Sequence, residues 1–239
     1  MRLRVVIQVI GLLQVFTGLS LVLPLAVGLY FKEAAAAPIL WSMLITVASG
    51  AALWLGNRGQ GEIRVREGFG IVTLGWIMTT VTGTLPFMLS GCIPSFTDAF
   101  FEVMSGYTTT GASILKDVEA LPRCLLFWRS LTHWLGGMGI IVLSIAILPF
   151  LGVGGMDMFR AEVPGPSKEK MTPRIQETAI WLWGVYALLT ALQTALLSLG
   201  GMSLFDSLVH SFGTVATGGF SNLNRSVGQY GSAYFEWVI

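Results

Sequence analysis

Five long apolar runs constrain this chain more than any other feature of its sequence. A helix needs roughly 20 residues to cross a bilayer. The runs occupy residues 5–31, 39–55, 68–89, 127–151 and 178–199, and a sixth begins at residue 234. Because lipid offers the backbone no hydrogen-bond partner, such runs must be helical. The sequence therefore predicts an all-α membrane protein.

The charge content excludes the main alternatives to a membrane protein. Charged residues make up 11% of the chain, against about 25% in soluble proteins. A soluble domain cannot cover its surface with so little charge, and disorder requires low hydrophobicity and high charge. The net charge of +1 argues against nucleic acid as a partner, because a nucleic-acid partner selects a basic surface.

The first apolar run has one alternative interpretation, a secretory signal peptide. Arg2 and Arg4 precede it, and the alanines at 34–37 resemble a cleavage site. However, the apolar region of a signal peptide has about 7–15 residues, whereas residues 5–31 form a run of 27. A membrane-spanning helix is therefore the favoured interpretation.

The positive residues predict the orientation of the helices. Nine of the fourteen Lys and Arg residues fall in the stretches 1–4, 57–67 and 152–174. If the helices alternate in direction, these stretches share one side, which the positive-inside rule assigns to the cytoplasm. The N-terminus is then cytoplasmic, and residues 90–126 lie outside.

The segments after the third and fifth runs form an internal repeat. Ser95 is followed three residues later by Asp98, and Ser203 by Asp206, which is a helix-start signature. Both segments then reach a Thr-Gly pair, at residues 110–111 and 217–218. The offset is 108 at the serines and 107 at the Thr-Gly pairs, which predicts a one-residue slip.

The length of the repeated segment predicts a pore loop. Residues 95–106 are 12 residues, or about 18 Å of helix, which is half a bilayer. Such a helix must stop at mid-depth, where its C-terminal end carries partial negative charge and favours a cation. The Thr/Gly loop that follows is suited to aim carbonyl groups at an ion, as potassium filters do. The alternative is an ordinary Gly/Thr-rich surface turn.

Three motifs resemble the Trk/Ktr/HKT superfamily of potassium transporters. They are GYTTTGAS at 106–113, FWRSLTHWLGGMG at 127–139 and TVATGGFS at 214–221. The resemblance is closest to the bacterial Trk-type membrane subunit, which has two leading helices and four helix–pore-loop–helix units. It implies two leading helices at 1–57, a first unit at 58–152, a cytoplasmic linker at 153–175, and a second unit, incomplete after its filter, at 176–239.

The resemblance also implies a function and its residues. The chain is expected to be the N-terminal half of a protein that transports K⁺ across the bacterial inner (plasma) membrane, with no organic cofactor and no transition metal. The complete protein is expected to be a homodimer that docks a cytoplasmic nucleotide-binding regulatory subunit. Glycine at the place of Gly111 goes with potassium preference in relatives, whereas serine there goes with sodium permeation. The expected filter residues are Thr108, Thr109, Thr110, Gly111, Val215, Ala216, Thr217 and Gly218.

Glu102 and His210 occupy matching places in the two short helices. Charges at membrane depth are costly and are usually paired, so we expect Glu102 to form an ion pair with Arg129. We expect His210 to make local hydrogen bonds. The glycines at 136–139 predict close helix packing, and Cys92 and Cys124 are expected to be unpaired.

Other function classes remain as alternatives. One is a cation-coupled secondary transporter with broken helices, and another is a non-conducting membrane subunit. An intramembrane enzyme requires converging catalytic groups. Asp98 and Asp206 instead sit at helix starts on the outer side, so no enzymatic activity is expected.

The orientation can be tested by labelling. In a cysteine-free background, Gly59→Cys and Asp117→Cys should react with a membrane-impermeant thiol reagent from opposite sides, because the helices between them cross the bilayer an odd number of times. The measurement is labelling in intact cells compared with inverted vesicles. Labelling of both sites from the same side would show that the number of spans is wrong.

Overall fold

The computed structural model describes residues 2–57, 65–147 and 171–239. The regular structure in these ranges is helical, as predicted. Most of the predicted cytoplasmic stretches at 57–67 and 152–174 lies outside the described residues. The helices are α1 (Leu3–Ser20), α2 (Val22–Tyr30), α3 (Ala36–Gly56), α4 (Val65–Gly83), α5 (Leu85–Leu89), α6 (Phe96–Tyr107), α7 (Arg123–Ile147), α8 (Met171–Leu199), α9 (Leu204–Val215) and α10 (Ala233–Val238).

Four helical stretches of the described residues are long and apolar enough to cross a membrane. They are Leu3–Tyr30, Ala36–Gly56, Arg66–Leu89 and Glu177–Leu199, which correspond to the first, second, third and fifth predicted runs. The fourth run lies in α7, a helix of 25 residues up to Ile147. The predicted run continues to residue 151, outside the described part. α10 overlaps the beginning of the sixth run.

Two of the predicted spans are interrupted helices. The first is divided at Leu21 into α1 and α2, three residues before Pro24. The third is divided at Thr84 into α4 and α5, with Pro86 in the first turn of α5. Proline lacks the N–H that a continuous helix would use. At this break the Phe87 N–H donates to the Thr84 carbonyl rather than to that of Gly83, the last residue of α4. The Gly83 carbonyl accepts a hydrogen bond of 3.0 Å from the Trp128 indole.

The leading helices α1 and α3 cross at a pair of glycines. A Cβ at Gly50 would lie 2.7 Å from the Gly11 carbonyl oxygen and 2.8 Å from the Val15 nitrogen. A Cβ at Gly11 would likewise meet the backbone of α3. Small residues permit such close approach in membranes, where association depends on packing rather than on exclusion of water.

The two short helices have the predicted caps. The Ser95 hydroxyl accepts a hydrogen bond from the Asp98 N–H at the start of α6, and the Ser203 hydroxyl accepts one from the Asp206 N–H at the start of α9. Each helix has 12 residues, about 18 Å of rise. Both are therefore too short to cross a bilayer.

The main hydrophobic core surrounds α7. Trp128 and Leu131 of α7 are buried with Val103 and Tyr107 of α6 and Phe212 of α9. The Trp128 and Tyr107 rings pack edge to face, with centroids 6.4 Å apart. α7 thus packs against both short helices and holds the two repeats together.

The crossing of α1 and α3 generates a stability prediction. We expect Gly50→Ala to destabilise the protein by about 1–3 kcal/mol, because the new methyl group meets backbone atoms that cannot rotate away. The measurement is thermal unfolding in detergent. Gly56→Ala is the matched control, because no described heavy atom lies within 4 Å of its Cβ position. Equal stability of the two variants would show that the crossing is not tightly packed.

Candidate functional site

The two loops after α6 and α9 have the same backbone conformation. The Thr110 N–H donates to the Ser105 carbonyl at 3.0 Å, and the Gly218 N–H donates to the Gly213 carbonyl at 2.8 Å. The preceding residues, Thr109 and Thr217, also make matching turn hydrogen bonds. Each donor in the first loop and its equivalent in the second loop are 108 residues apart in the sequence.

The positive φ angles correct the predicted slip of one residue. They occur at Thr109 (53°) and Gly111 (73°) in the first loop, and at Thr217 (56°) and Gly219 (83°) in the second. The offset between the repeats is therefore 108 from the capping serines to the end of the loops. Gly219, rather than Gly218, is the counterpart of Gly111. The adjacent glycines at 218 and 219 concealed this correspondence, although Glu102 and His210 already showed an offset of 108.

The predicted filter residues therefore occupy unequal places in the two loops. Thr108 and Ala216 both cap their helices. Val215 is the last residue of α9 and corresponds to Tyr107. The structurally equivalent stretches are 108–111 and 216–219. The predicted set for the second loop therefore omitted Gly219 and included Val215, which belongs to α9.

Threonine at positive φ is a notable feature of both loops. Its branched Cβ makes the left-handed region unfavourable, and a residue held there costs on the order of 1–3 kcal/mol. The strain recurs at Thr109 and Thr217. Such conformations cluster at ligand-binding and switch sites, where surrounding packing maintains them.

The loops of the two repeats meet backbone to backbone. A Cβ at Gly111 would collide with the carbonyl oxygen of Gly218. Gly111 also has a φ that side chains rarely adopt. Two independent constraints, space and conformation, therefore favour glycine at this position.

Three close contacts seat the short helices on α7. Gly106 of α6 lies against the Thr132 side chain, Gly136 lies against the Tyr107 carbonyl, and the Cβ position of Gly137 is 3.1 Å from that of Ala216. The prediction that the glycines at 136–139 serve close packing is confirmed. The C-terminal ends of both short helices thus converge on one segment of α7.

Glu102 and Arg129 form the predicted ion pair. Their side chains are 1% and 3% exposed, and the Arg129 Nε donates to the Glu102 Oε1 at 2.6 Å. The carboxylate also accepts hydrogen bonds from the Ser113 hydroxyl and the Ile114 N–H, both at 2.9 Å. Glu102 therefore fixes the outer end of the first loop from within its own short helix.

Arg129 also contacts the second loop, which the sequence did not predict. Its Nη1 donates to the Ser221 carbonyl at 2.9 Å, and its guanidinium carbon lies 3.4 Å from the centroid of the Phe220 ring. A cation over an aromatic face is stabilised further when both are desolvated. Arg129 of α7 thus connects the second loop to Glu102, the residue that binds the first loop.

The remaining candidate residues lie apart from this contact. His210 is buried, and its ring packs edge to face against Tyr230 with centroids 5.9 Å apart. In the described part of the chain, Cys92 is exposed, Cys124 is buried, and both are free, as predicted. Asp98 and Asp206 lie in the first turns of α6 and α9.

The chain is similar in sequence to a family of cation transport proteins. A family model, TrkH, described as "Cation transport protein", matches residues 37–239. The chain belongs to the TrkH family. TrkH of Halomonas elongata, a "Trk system potassium uptake protein", is 45% identical over 241 residues, covering 100% of this chain and 50% of the relative. TrkH of Escherichia coli K12 is 44% identical over 242 residues, with the same coverage.

A solved structure of a TrkH protein has the same fold. The crystal structure of the potassium transporter TrkH from Vibrio parahaemolyticus matches with a TM-score of 0.88 and 39% identity, covering 100% of this chain and 48% of that chain. The chain therefore spans about half the length of the relatives that it matches. The resemblance predicted from the pore-loop motifs is confirmed.

The buried ion pair generates the next prediction. Arg129→Met should destabilise the protein by about 3–5 kcal/mol, because it leaves the Glu102 carboxylate buried without its cation. The double variant Glu102→Gln/Arg129→Met should recover part of that loss. The measurement is denaturant or thermal unfolding in detergent.

Arg123→Met is the control on the same helix. Arg123 is exposed and lies 4.4 Å from the Phe31 ring centroid, so its loss should have a smaller effect than loss of Arg129. A double variant that is less stable than Arg129→Met would contradict the importance of charge pairing.

Proposed function

We propose that residues 1–239 form one half of a potassium-conducting pore in the bacterial inner membrane. The observation that carries this proposal is the backbone contact between Gly111 and Gly218, because it brings together two re-entrant loops with the same unusual φ angles. The family membership and the names of the related potassium uptake proteins support K⁺ as the transported ion. No step of covalent chemistry is needed for this function.

The proposed selectivity comes from backbone carbonyl groups. A K⁺ ion that enters the loops exchanges its water shell for carbonyl oxygens, as in potassium channels. The stretches 108–111 and 216–219 would supply these oxygens from the two units. The C-terminal ends of α6 and α9 add partial negative charge near them, which favours a cation at this depth.

The proposed assembly extends beyond this chain. Two loops supply two sides of a fourfold ring, so the complete pore requires two further units. We propose the division into leading helices at 1–57, a first unit at 58–152, a linker at 153–175 and a second unit at 176–239. The complete protein is proposed to be a homodimer with a cytoplasmic N-terminus and a nucleotide-binding regulatory subunit on its cytoplasmic face.

Gly111→Ser tests the filter in the four-unit protein that contains this chain. Serine adds a Cβ at a positive φ, which costs roughly 1 kcal/mol or more, and that Cβ collides with the Gly218 carbonyl. We expect the preference for K⁺ over Na⁺ to fall about tenfold, which corresponds to about 1.4 kcal/mol. The measurement is the ratio of K⁺ to Na⁺ uptake in cells that lack other potassium systems.

Gly91→Ser is a matched control, because Gly91 has a similar φ of 74° and no described heavy atom within 4 Å of its Cβ position. It should preserve the uptake ratio. Gly219→Ser should reduce the ratio, since Gly219 is the structural counterpart of Gly111. An unchanged ratio in Gly111→Ser, at normal protein levels, would remove Gly111 from the filter. Uptake that requires a second coupled ion would instead favour a secondary transporter.

A further inference from the structure

The two loops are held at their outer ends by different elements. In the first loop, Glu102 of α6 binds the Ser113 hydroxyl and the Ile114 N–H. The corresponding residue of α9 is His210, which packs against Tyr230. At its outer end, the second loop instead has Asn222 donating to Asp206 of α9 at 2.6 Å. Nearer its glycines, it contacts Arg129 and His133 of α7, which belongs to the preceding unit.

Phe220 of the second loop lies between two side chains of α7. The Arg129 guanidinium carbon is 3.4 Å from its ring centroid, and the His133 ring is stacked on it at 4.0 Å with an interplanar angle of 14°. Arg129 and His133 are four residues apart, one helical turn along the same face. Since two groups so close to the centroid cannot share one face of the ring, they enclose Phe220 from both faces.

His133 also contacts the loop backbone directly. The Phe220 N–H donates to His133 Nδ1 at 3.4 Å, and a Cβ at Gly218 would collide with the imidazole ring. His133 is fully buried. The imidazole therefore lies against both ends of the segment 218–220, which includes Gly219.

The hydrogen bond from the Phe220 N–H determines the tautomer of the His133 imidazole. Because the Phe220 N–H is the donor, Nδ1 must carry a lone pair, and the proton of a neutral ring is then on Nε2. Nε2 is buried and has no hydrogen-bond partner among the described residues. An unpaired buried polar atom lowers stability, so contribution to stability alone does not account for histidine at this position.

We propose that His133 is a positioning residue for ion selection: its Nδ1 holds the Phe220 N–H beside Gly218 and Gly219, so that the first unit fixes the filter of the second. This inference rests on the proposed function. Loss of the acceptor frees the segment 218–220 to rotate, and the carbonyl groups then no longer share a fixed spacing. Selectivity should therefore decline even where the protein still folds.

Two substitutions separate the acceptor from simple packing. His133→Leu fills the space with an apolar side chain that has no hydrogen-bond acceptor. In His133→Asn, the side-chain carbonyl oxygen replaces Nδ1 as the acceptor at a similar distance from the backbone. In the four-unit protein, we expect His133→Leu to lower the K⁺/Na⁺ uptake ratio about fivefold, the factor that corresponds to one neutral hydrogen bond. We expect His133→Asn to remain within about twofold of the unaltered protein, because the acceptor is retained.

The readouts distinguish the possible outcomes. Protein level and elution as a single species in detergent are measured for each variant, and the uptake ratio is compared only among folded proteins. An unchanged ratio in His133→Leu, or an equal decline in both variants, would overturn the positioning role. If His133→Leu does not fold, an impaired ratio in folded His133→Asn also overturns it, and a preserved ratio supports it. Absence of K⁺ preference in the unaltered protein would instead refute the proposed function.

Discussion

The close approach of backbone to backbone along α7 is the constraint on which the described structure depends. Gly136 and Gly137 allow the ends of α6 and α9 to approach the α7 backbone directly, and Gly106 of α6 leaves room for the Thr132 side chain of α7. Within a bilayer the exclusion of water gives little driving force between helices, so association depends on such contacts and on interhelical hydrogen bonds. The position of the loops is therefore determined by the absence of Cβ atoms as much as by the side chains present.

Arg129 illustrates why a buried ion pair can be present where an apolar pair would cost less desolvation free energy. Desolvation of two charges is expensive, and a well-packed apolar replacement is often at least as stable. Arg129, however, makes its ion pair with Glu102 and also binds the Ser221 carbonyl and the Phe220 ring. A methionine in its place could fill the volume but could not donate both to Glu102 of α6 and to the Ser221 carbonyl of the second loop. The pair therefore contributes most through orientation, because it fixes the first loop relative to the second.

The sequence predicted the elements well and the contacts between them less well. Length and hydropathy identified the spans, and the serine caps identified the half-helices, because both signals are local. The ion pair followed from the high cost of an unpaired charge in lipid. The breaks at Leu21 and Thr84 were missed because the hydropathy of those runs is continuous, although Pro24 and Pro86 indicated them. The contacts of Arg129 and His133 with Phe220 and Ser221 join residues about ninety positions apart, and no sequence period encodes such a distance.

The strained threonines show how the fold of one unit depends on its neighbour. Thr109 and Thr217 retain positive φ angles, and such strain persists only when surrounding packing maintains it. Local turn hydrogen bonds at Thr110 and Gly218 contribute to this conformation, and the surrounding structure provides the rest. α7 supplies Gly136 beneath Tyr107 and His133 against Gly218. Because α7 supports both loops, loosening its packing releases strain in both. The two loops should therefore be ordered or disordered together, and the spacing of their carbonyl groups is a property of the pair.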